Sequence, residues 1–349
     1  MKHYGIFMLL FVLLSGCKPK KEPVVPPWME EAEMTDVFDL QQIERAGELI
    51  ALTLSGPDTY YDYHGSHLGV HYLLCERFAS HLGVRLRMEV CRDTAEMLQR
   101  MDRGDADLLA LTMTSDTLSP GWLVGKGKDD LQQELLAWYE PQMLESARQE
   151  EKQLLQRPRV KRRVHAPMLS RGVISYYDEL FKRYSRGIGW DWRLLAAQCY
   201  QESTFDPEAQ SWAGARGLMQ IMPRTADHLG LPRDEITNPE KNIAAATRYL
   251  HELEHEFSYI HDRNERQNMV LASYNGGLGH VQDAMRLAAR DNCNPQRWDD
   301  VRTYILRLKD PRYYQDTLVR NGYMRGTETA DYVDRIRSRY QQYIRKVRQ

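Results

Sequence analysis

A change in hydrophobic pattern divides this chain into two parts that must fold differently. Between residues 36 and 117, a short apolar run at 49–54 and an alternating run at 84–90 are separated by amphipathic segments. This alternation of strands and helices predicts a small parallel sheet covered by helices. From residue 167 onward the apolar residues recur at helical spacing, and no convincing strand pattern follows Val173. The predicted fold class is therefore α/β followed by all-α.

The first part is predicted to run strand, helix, strand, helix, strand. Its strands lie at 49–54, 84–90 and 107–112, and its helices at 69–83 and 94–103. The edge that the last strand leaves open needs a cover, which residues 122–124 are suited to supply. A single long helix is predicted over 129–157. The basic cluster at 157–163 is either a solvated linker or a contact for anionic polymer or lipid headgroups.

The second part is predicted to be helical throughout and large enough to bury a core of its own. Its helices are predicted at 174–185, 191–203, 242–257, 267–275, 281–290, 299–308 and 328–347. The predicted domains are a leader at 1–16, a tether at 17–35, a sheet-containing domain at 36–127, a helical linker at 128–169 and a helical domain at 170–349.

Residues 196–222 are the stretch of the helical domain with the most suggestive chemistry. The helix that leads into it carries an apolar stripe formed by Trp192, Leu195, Ala196 and Cys199. Glu202 lies at the edge of this stripe in the last turn, because the residue before Pro207 disfavours helix. Apolar surroundings and the negative end of the helix dipole predict a raised pKa for Glu202. Glu202 is either a general acid or a solvated glutamate at a helix end.

The first residues resemble the leader of a bacterial lipoprotein. Lys2 precedes an apolar run over 5–14 that is too short to span a bilayer, and small residues then lead to Cys17, as in a lipobox. The resemblance implies cleavage before Cys17 and lipidation of its thiol, which would hold the protein on a membrane. Lys18 suggests the periplasmic face of the outer membrane. The alternatives are an incidental cysteine in a secretory signal and an uncleaved anchor.

Net charge and cysteine content limit the ligands and the disulfide bonds that can be expected of this chain. The formal net charge of −2 gives no basic field for nucleic acid. Beyond Cys17, four cysteines allow three pairings, and the sequence does not choose among them: Cys75, Cys91, Cys199 and Cys293. Cys199 is predicted to be a small buried hydrophobe. No Cys or His spacing suits zinc, so neither a metal nor a cofactor is expected.

Three runs in the first part carry a resemblance: GELIALTLSGPDTYYDY, LCERFASHLGVRLRMEV and MLQRMDRGDADLLALTMTSDT. Together they resemble the first lobe of a family 3 periplasmic solute-binding domain. That family follows its third strand with an arginine that grips an amino-acid carboxylate, but residues 114–118 contain none. It also needs a second lobe, for which residues 120–136 leave no room. The resemblance therefore implies a truncated half-lobe with a structural or regulatory role and without an amino-acid ligand.

Four motifs occur in order in the helical domain. They are Gln201-Glu202-Ser203, SWAGARGLMQIMP from Ser211, ASYNGG from Ala272 and ETADYV from Glu328. Together they resemble the soluble lytic transglycosylase family, whose catalytic domain is like goose-type lysozyme, and the resemblance covers residues 170–337. It implies a lysozyme-like, mainly α-helical fold that acts on peptidoglycan glycan strands.

The resemblance also implies roles for individual residues. Glu202 matches the catalytic acid that protonates the bond between N-acetylmuramic acid and N-acetylglucosamine. It would then accept the proton of the muramyl C6 hydroxyl as that oxygen closes on C1, which gives a 1,6-anhydro end. Substrate-binding roles fall on Ser203, Ser211, Gln220, Met222, Tyr274, Asn275 and Tyr332.

The carboxylates near Glu202 offer a check on this mechanism. Glycoside hydrolases usually place two carboxylates around the bond, and no pattern carries Asp206 or Glu208 to the opposite face of the sugar. A lone acid fits an intramolecular reaction in which the substrate supplies its own nucleophile. Two alternatives stay open: a muramidase that uses water, and a non-catalytic lipoprotein that binds or senses peptidoglycan.

Overall fold

The computed structural model describes residues 39–112, 119–156, 165–169 and 172–348. The predicted leader, Cys17, the tether, residues 113–117 of the solute-binding resemblance and the basic cluster at 157–163 lie outside these residues. Within the described ranges, no helix combines the length and the apolar character that crossing a membrane requires.

The first part contains a small mixed sheet. Its elements are α1 (Leu40–Ala46), β1 (Glu48–Leu54), β2 (Tyr61–Tyr63), β3 (Ser66–Leu68), α2 (Val70–His81), β4 (Arg85–Cys91), α3 (Thr94–Asp102), β5 (Leu108–Leu109), β6 (Leu123–Val124), α4 (Asp129–Trp138) and α5 (Gln142–Gln156). The strand order is β4-β1-β5-β6, and β2 pairs with β3 in a separate hairpin. β1 runs parallel to β4 and β5, which confirms the predicted parallel core of the sheet.

The edge of the sheet is covered as predicted. β6 pairs antiparallel with β5, with Leu108 opposite Val124. β5 is shorter than the predicted strand at 107–112, because its regular pairing with β1 joins only Ala51 to Leu108 and Leu52 to Leu109. The ladder nevertheless continues on both sides, since the N–H groups of Asp107 and Ala110 donate to carbonyls of β1.

The single long helix predicted over 129–157 is wrong. The structure has two helices, α4 and α5, and Tyr139 between them takes an extended conformation with ψ 132°. Pro141 explains the break, since a proline lacks the N–H that a helix needs and disfavours helix at the preceding residue. Both helices pack in the core of the first part, where Leu131, Leu135 and Ala147 are fully buried. The predicted linker thus completes the layer that covers the sheet.

The second part is mainly helical. Its helices are α6 (Asp178–Ser185), α7 (Trp192–Ser203), α8 (Pro223–His228), α9 (Pro239–Glu256), α10 (Arg263–Gly276), α11 (Leu278–Arg290), α12 (Trp298–Arg307), α13 (Pro311–Tyr314) and α14 (Gly326–Lys346). The predicted helices are present with shifted ends, and α8 and α13 were not predicted. α6 begins later than residue 174, because the Asp178 carboxylate accepts the N–H groups of Ile174 and Ser175 and holds them outside the helix.

α7 ends because the two residues after it adopt the left-handed backbone conformation. Thr204 and Phe205 have φ of 55° and 61°, values that residues other than glycine rarely adopt. The helix therefore stops at Ser203, before Pro207 can act, and Glu202 stays in its last turn. Cys199 is fully buried one turn earlier, as predicted. The described cysteines of the chain are free thiols, which leaves none of the three pairings in place.

A buried histidine sits in the core of the first part. His71 is 5% exposed, and its Nδ1 accepts the indole N–H of Trp122 at 2.8 Å. Its Nε2 lies 3.1 Å from the Thr112 hydroxyl. Burial lowers the pKa of His71 to about 4, a shift that Asp58 opposes and Arg148 reinforces. His71 is accordingly held as a neutral imidazole.

The stability of the protein should therefore fall in mild acid. The unfolded chain protonates His71 near pH 6.5, while the folded protein resists protonation down to about pH 4. The contribution of neutral His71 to the free energy of unfolding is fully present above pH 6.5. It is lost as the pH falls toward 4, and the total loss is about 3 kcal/mol. Urea unfolding at pH 7 and pH 4.5 measures it, and His71→Gln should flatten the difference. An equally steep decline in the variant would assign the loss to other groups.

Candidate active site

A cleft of about 1460 Å³ is lined by residues of both parts of the molecule. From the helical part come six of the residues predicted for the site: Glu202, Ser211, Gln220, Met222, Tyr274 and Asn275. From the sheet-containing part come Leu54 and Cys91, which are the last residues of the parallel strands β1 and β4, and residues 60–65, which include β2 and the turn that joins it to β3. The predicted residues are therefore brought together, although Glu202 and Tyr274 are far apart in sequence.

Glu202 is buried at this cleft and is held by a tyrosine. It is 7% exposed, and the hydroxyl of Tyr332 donates to its Oε1 at 2.5 Å. Tyr332 comes from the second turn of α14 and is 2% exposed. Burial and the negative charge of Glu202 raise the pKa of Tyr332 well above its usual range. Tyr332 therefore stays a hydrogen-bond donor at any working pH and fixes one oxygen of the carboxyl group.

Two of the predicted residues stabilise the loop after α7 through hydrogen bonds. The Ser211 hydroxyl accepts the N–H of Ala215 at 2.9 Å. The side-chain amide of Gln220 donates to the carbonyls of Ala209 and Gly217 at 3.0 and 2.9 Å. Ser211 and Gln220 thus shape the loop while also facing the cleft.

Asn242 holds the same loop through hydrogen bonds, and it was not among the residues predicted from the sequence. It is fully buried in α9, where its Oδ1 accepts the N–H of Met219 at 2.8 Å. Its Nδ2 donates to the carbonyls of Ile236 and Arg216 at 2.7 and 3.2 Å. Gly217 has φ of 81°, and a Cβ there would lie 2.4 Å from Asn242 Nδ2. The sequence offered one indication of the role of Asn242, which is a polar residue beside Ile243 on the apolar face of a predicted helix.

Tyr274 and Asn275 line the cleft at the end of α10. The Tyr274 hydroxyl donates to the carbonyl of Met219 at 2.8 Å, and burial together with Glu202 raises its pKa. The Asn275 side chain accepts the hydroxyl of Thr329 at 2.9 Å. Thr329 lies in the first turn of α14, so this bond places α14 against α10 beside Glu202.

Ser203 and Tyr332 are the two predicted substrate-binding residues that do not line the cleft. Tyr332 reaches the site only through its bond to Glu202. Ser203 makes no such contact. It is fully buried, and its hydroxyl donates to the carbonyl of Cys199 at 3.2 Å. Its side chain is not part of the cleft lining, and its bond to Cys199 supports the end of α7. Asp206 and Glu208 are likewise absent from the residues that line the cleft.

Five carboxylates that the sequence did not suggest as catalytic partners also line the cleft, namely Asp62, Asp93, Glu96, Asp316 and Glu328. Glu328 Oε2 accepts the hydroxyl of Tyr63 at 2.6 Å and lies 3.1 Å from Nε2 of His64. Burial by itself raises the pKa of Glu328, but the bonds from His64 and Tyr63 and the charge of Arg325 outweigh it and lower the pKa. Glu328 is therefore an ionised group one helical turn before Tyr332. Among the described residues, no cluster of His, Cys, Asp or Glu is arranged to hold a metal ion.

Residues 179–295 match the family model of the Transglycosylase SLT domain. This segment is an SLT domain. It contains Glu202, Ser211, Gln220, Tyr274 and Asn275, whereas Tyr332 lies beyond the matched residues. The SLT domain therefore contains Glu202 and part of the cleft lining, and α14 adds the tyrosine that bonds Glu202.

Curated relatives share this region. Proteins named membrane-bound lytic murein transglycosylase F are similar to the chain at 42% identity in Desulfosudis oleivorans, 41% in Shewanella pealeana and 40% in Haemophilus influenzae. The matches cover 44%, 47% and 47% of this chain, and 33% of each relative. The chain thus matches about a third of the length of these proteins. Among solved structures, the 70 kDa soluble lytic transglycosylase of Escherichia coli is 24% identical over 58% of this chain and 27% of its own, with a TM-score of 0.32.

Proposed function

We propose that the chain is a peptidoglycan lytic transglycosylase, which cleaves the β-1,4 bond between N-acetylmuramic acid and N-acetylglucosamine and leaves a 1,6-anhydro end. The observation that carries this proposal is the placement of Glu202. It is a carboxyl group at the end of a helix in an SLT domain, buried at a large cleft and hydrogen-bonded by Tyr332. The relatives named as lytic murein transglycosylases support it.

The proposed reaction uses Glu202 twice. As an acid, it protonates the glycosidic oxygen while the bond to C1 of the muramyl residue breaks. As a base, it takes the proton of the C6 hydroxyl while the C6 oxygen bonds to C1, so that the proton count of the enzyme is restored. The Tyr332 hydroxyl stabilises the carboxylate between these steps, because hydrogen bonds to an ionised acceptor are stronger than neutral ones. The raised pKa expected for Glu202 stays a prediction that a pH–rate profile would test.

The remaining residues of the site position the sugar in this proposal. Ser211 and Gln220 would present polar atoms of the loop, Met222 an apolar surface, and Tyr274 and Asn275 polar atoms at the end of α10. Each of these lines the cleft that Glu202 lines. Tyr332 acts through Glu202, and Ser203 acts by supporting the end of α7.

A muramidase is the second candidate, and Glu328 is the observation that favours it. Hydrolysis with two carboxylates requires an ionised partner across the bond, and Glu328 is an ionised carboxylate in the same cleft. Tyr63, His64 and Arg325 already engage Glu328, which leaves it poorly placed to activate water. The intramolecular reaction needs no such group, and we therefore prefer it.

Mass spectrometry of the products from purified murein sacculi tests the proposal. Anhydro-muropeptides are expected from the lytic transglycosylase. Reducing muropeptides would instead show a muramidase. Release of neither, by a protein that still binds sacculi, would indicate the non-catalytic wall-binding protein that the sequence left open.

The cellular place of the protein is proposed from its first residues. Attachment through lipidated Cys17, at the periplasmic face of the outer membrane, is supported by the lipobox-like sequence and by relatives named as membrane-bound. Cys17→Ala is expected to move the protein from the membrane fraction to the soluble periplasmic fraction, as immunoblots of fractionated cells would show. If the variant stays with the membrane, another part of the chain holds it there.

The sheet-containing part is proposed to be the truncated half-lobe of a solute-binding fold. The parallel pairing of β1 with β4 and β5 supports this relationship. Its role is then structural or regulatory, and no amino-acid ligand is expected. Calorimetric titration with free amino acids should give no binding heat, and measurable binding would contradict the assignment.

A further inference from the structure

The hairpin of β2 and β3 touches both sides of the cleft that contains Glu202. Its two-residue turn is His64-Gly65, and both residues have positive φ, 49° and 75°. That conformation suits the tight turn whose twist matches paired strands, so the hairpin is short and well defined. Residues 60–65 line the same cleft as Glu202.

On one side the hairpin contacts the loop that follows α7. The ring of Tyr63 stacks on the indole of Trp212, with centroids 6.0 Å apart and planes inclined by 17°. At Gly65 the backbone approaches Met222 so closely that a Cβ would lie 2.8 Å from its Cε. Trp212 and Met222 lie on the wall that also carries Ser211 and Gln220.

On the other side the hairpin contacts the beginning of α14. Glu328 receives the Tyr63 hydroxyl at 2.6 Å and lies 3.1 Å from His64 Nε2. The guanidinium of Arg325 lies over the Tyr63 ring, 5.6 Å from its centroid. Tyr63 thus contacts Trp212 of one wall and Arg325 and Glu328 of the other.

We propose that this hairpin bridge, defined by residues 61–68, blocks the passage of a continuous glycan strand and restricts the enzyme to strand ends. The inference rests on the proposed function. A strand cut in its interior must extend along the cleft in both directions from Glu202. Where the hairpin joins the two walls, such a strand cannot continue between them, whereas a strand that ends there is accommodated.

The contacts that hold the bridge are strong enough to keep it in place during catalysis. The Tyr63 hydroxyl and His64 both bind an ionised carboxylate, and charge-assisted hydrogen bonds are roughly twice as strong as neutral ones. The stack on Trp212 and the cation over the ring add to them. The bridge is therefore part of the cleft wall, and it acts on substrate choice without touching the reacting atoms.

Purified uncrosslinked glycan strands test the proposal. The wild-type protein should release disaccharide-sized anhydro products from the first moments, while the remaining strands shorten slowly. Replacing both bridging side chains, in Tyr63→Ala/His64→Ala, should release strands of intermediate length several times more often at equal conversion. His64→Ala alone is a milder variant that should shift the lengths in the same direction. Size-exclusion chromatography with mass spectrometry of early samples measures the lengths.

Tyr176→Ala is the matched control, because Tyr176 is 84% exposed and lies outside the cleft. It should leave the product lengths unchanged. Intermediate strands released by the wild type from the start would overturn the proposal. The proposal would also be overturned if the variants changed the cleavage rate but released products of the same lengths as the wild type. The hairpin would then affect the rate alone.

A binding measurement separates this inference from the proposed function. In the Glu202→Gln background, short and long glycan strands are compared at equal mass by fluorescence titration. If the bridge selects ends, binding follows the number of strand ends, and the double variant follows the number of disaccharides. Equal binding of short and long strands by the bridged protein would refute the inference even if the wild type cleaves nothing. Inactivity with end-dependent binding would instead refute the proposed function.

Discussion

Replacing Glu202 with glutamine is expected to lower the rate of anhydro-muropeptide release by roughly 10²–10⁴-fold, the contribution typical of a positioned general acid. Glutamine keeps the shape of the side chain, and its carbonyl oxygen can still accept the Tyr332 hydroxyl. The amide cannot donate the proton that the leaving oxygen needs. Initial rates on sacculi, measured by quantitative mass spectrometry of the released products, give the fold-change.

Glu208→Gln is the control for this measurement. Glu208 is an exposed glutamate six residues further along, outside the cleft lining, and the same charge is removed. Its rate should equal that of the wild type. If Glu202→Gln kept more than a tenth of the activity while Glu328→Gln lost it, the essential acid would have been assigned to the wrong carboxylate.

Replacing Asn242 with alanine is expected to lower the free energy of unfolding by about 3 kcal/mol or more, because a buried polar group left without its partner costs about 1–3 kcal/mol. Three such groups lose their partner at once: the N–H of Met219 and the carbonyls of Arg216 and Ile236. Activity should fall with stability, since the same bonds hold the loop between Ser211 and Met222. Urea unfolding measures the stability, and KM measures the loosened loop.

Asn264→Ala is the matched control for Asn242→Ala. Asn264 is an exposed asparagine in the first turn of α10. Its replacement should change the free energy of unfolding by less than about 0.5 kcal/mol, as surface substitutions usually do. A loss below about 1 kcal/mol in Asn242→Ala would mean that the loop finds other partners and is not held by this side chain.

The fold was predictable where local pattern decides it. The alternation in 84–90 marks β4, and the spacing of apolar residues marks α7 and α14, because one buried face is enough to select the element. The break at Pro141 was predictable in principle, since the proline is visible in the sequence. The two-residue extent of β5 was not, because it depends on how far the strand pairs with β1.

The candidate site was predictable only in part. The position of Glu202 at a helix end follows from local sequence. Its hydrogen bond to Tyr332 joins residues 130 positions apart, and Tyr332 was named as a site residue by family resemblance alone. Ser203 illustrates the limit of a motif, since its hydroxyl turns back to the helix. No local sequence pattern predicts the hydrogen bond between Tyr63 and Glu328, because two parts of the molecule have to fold before this contact exists.

The bonds of the hairpin to Glu328 also bear on how the protein is made. They join residues 265 and 264 positions apart, so Glu328 is synthesised long after Tyr63 and His64. Chains generally fold from the N-terminus as they emerge, so the sheet and α7 can form while the cleft is still incomplete. Tyr332 is synthesised with the same helix, α14. A nascent chain therefore carries Glu202 without the tyrosine that holds it, and the candidate site is complete only after α14 has been synthesised.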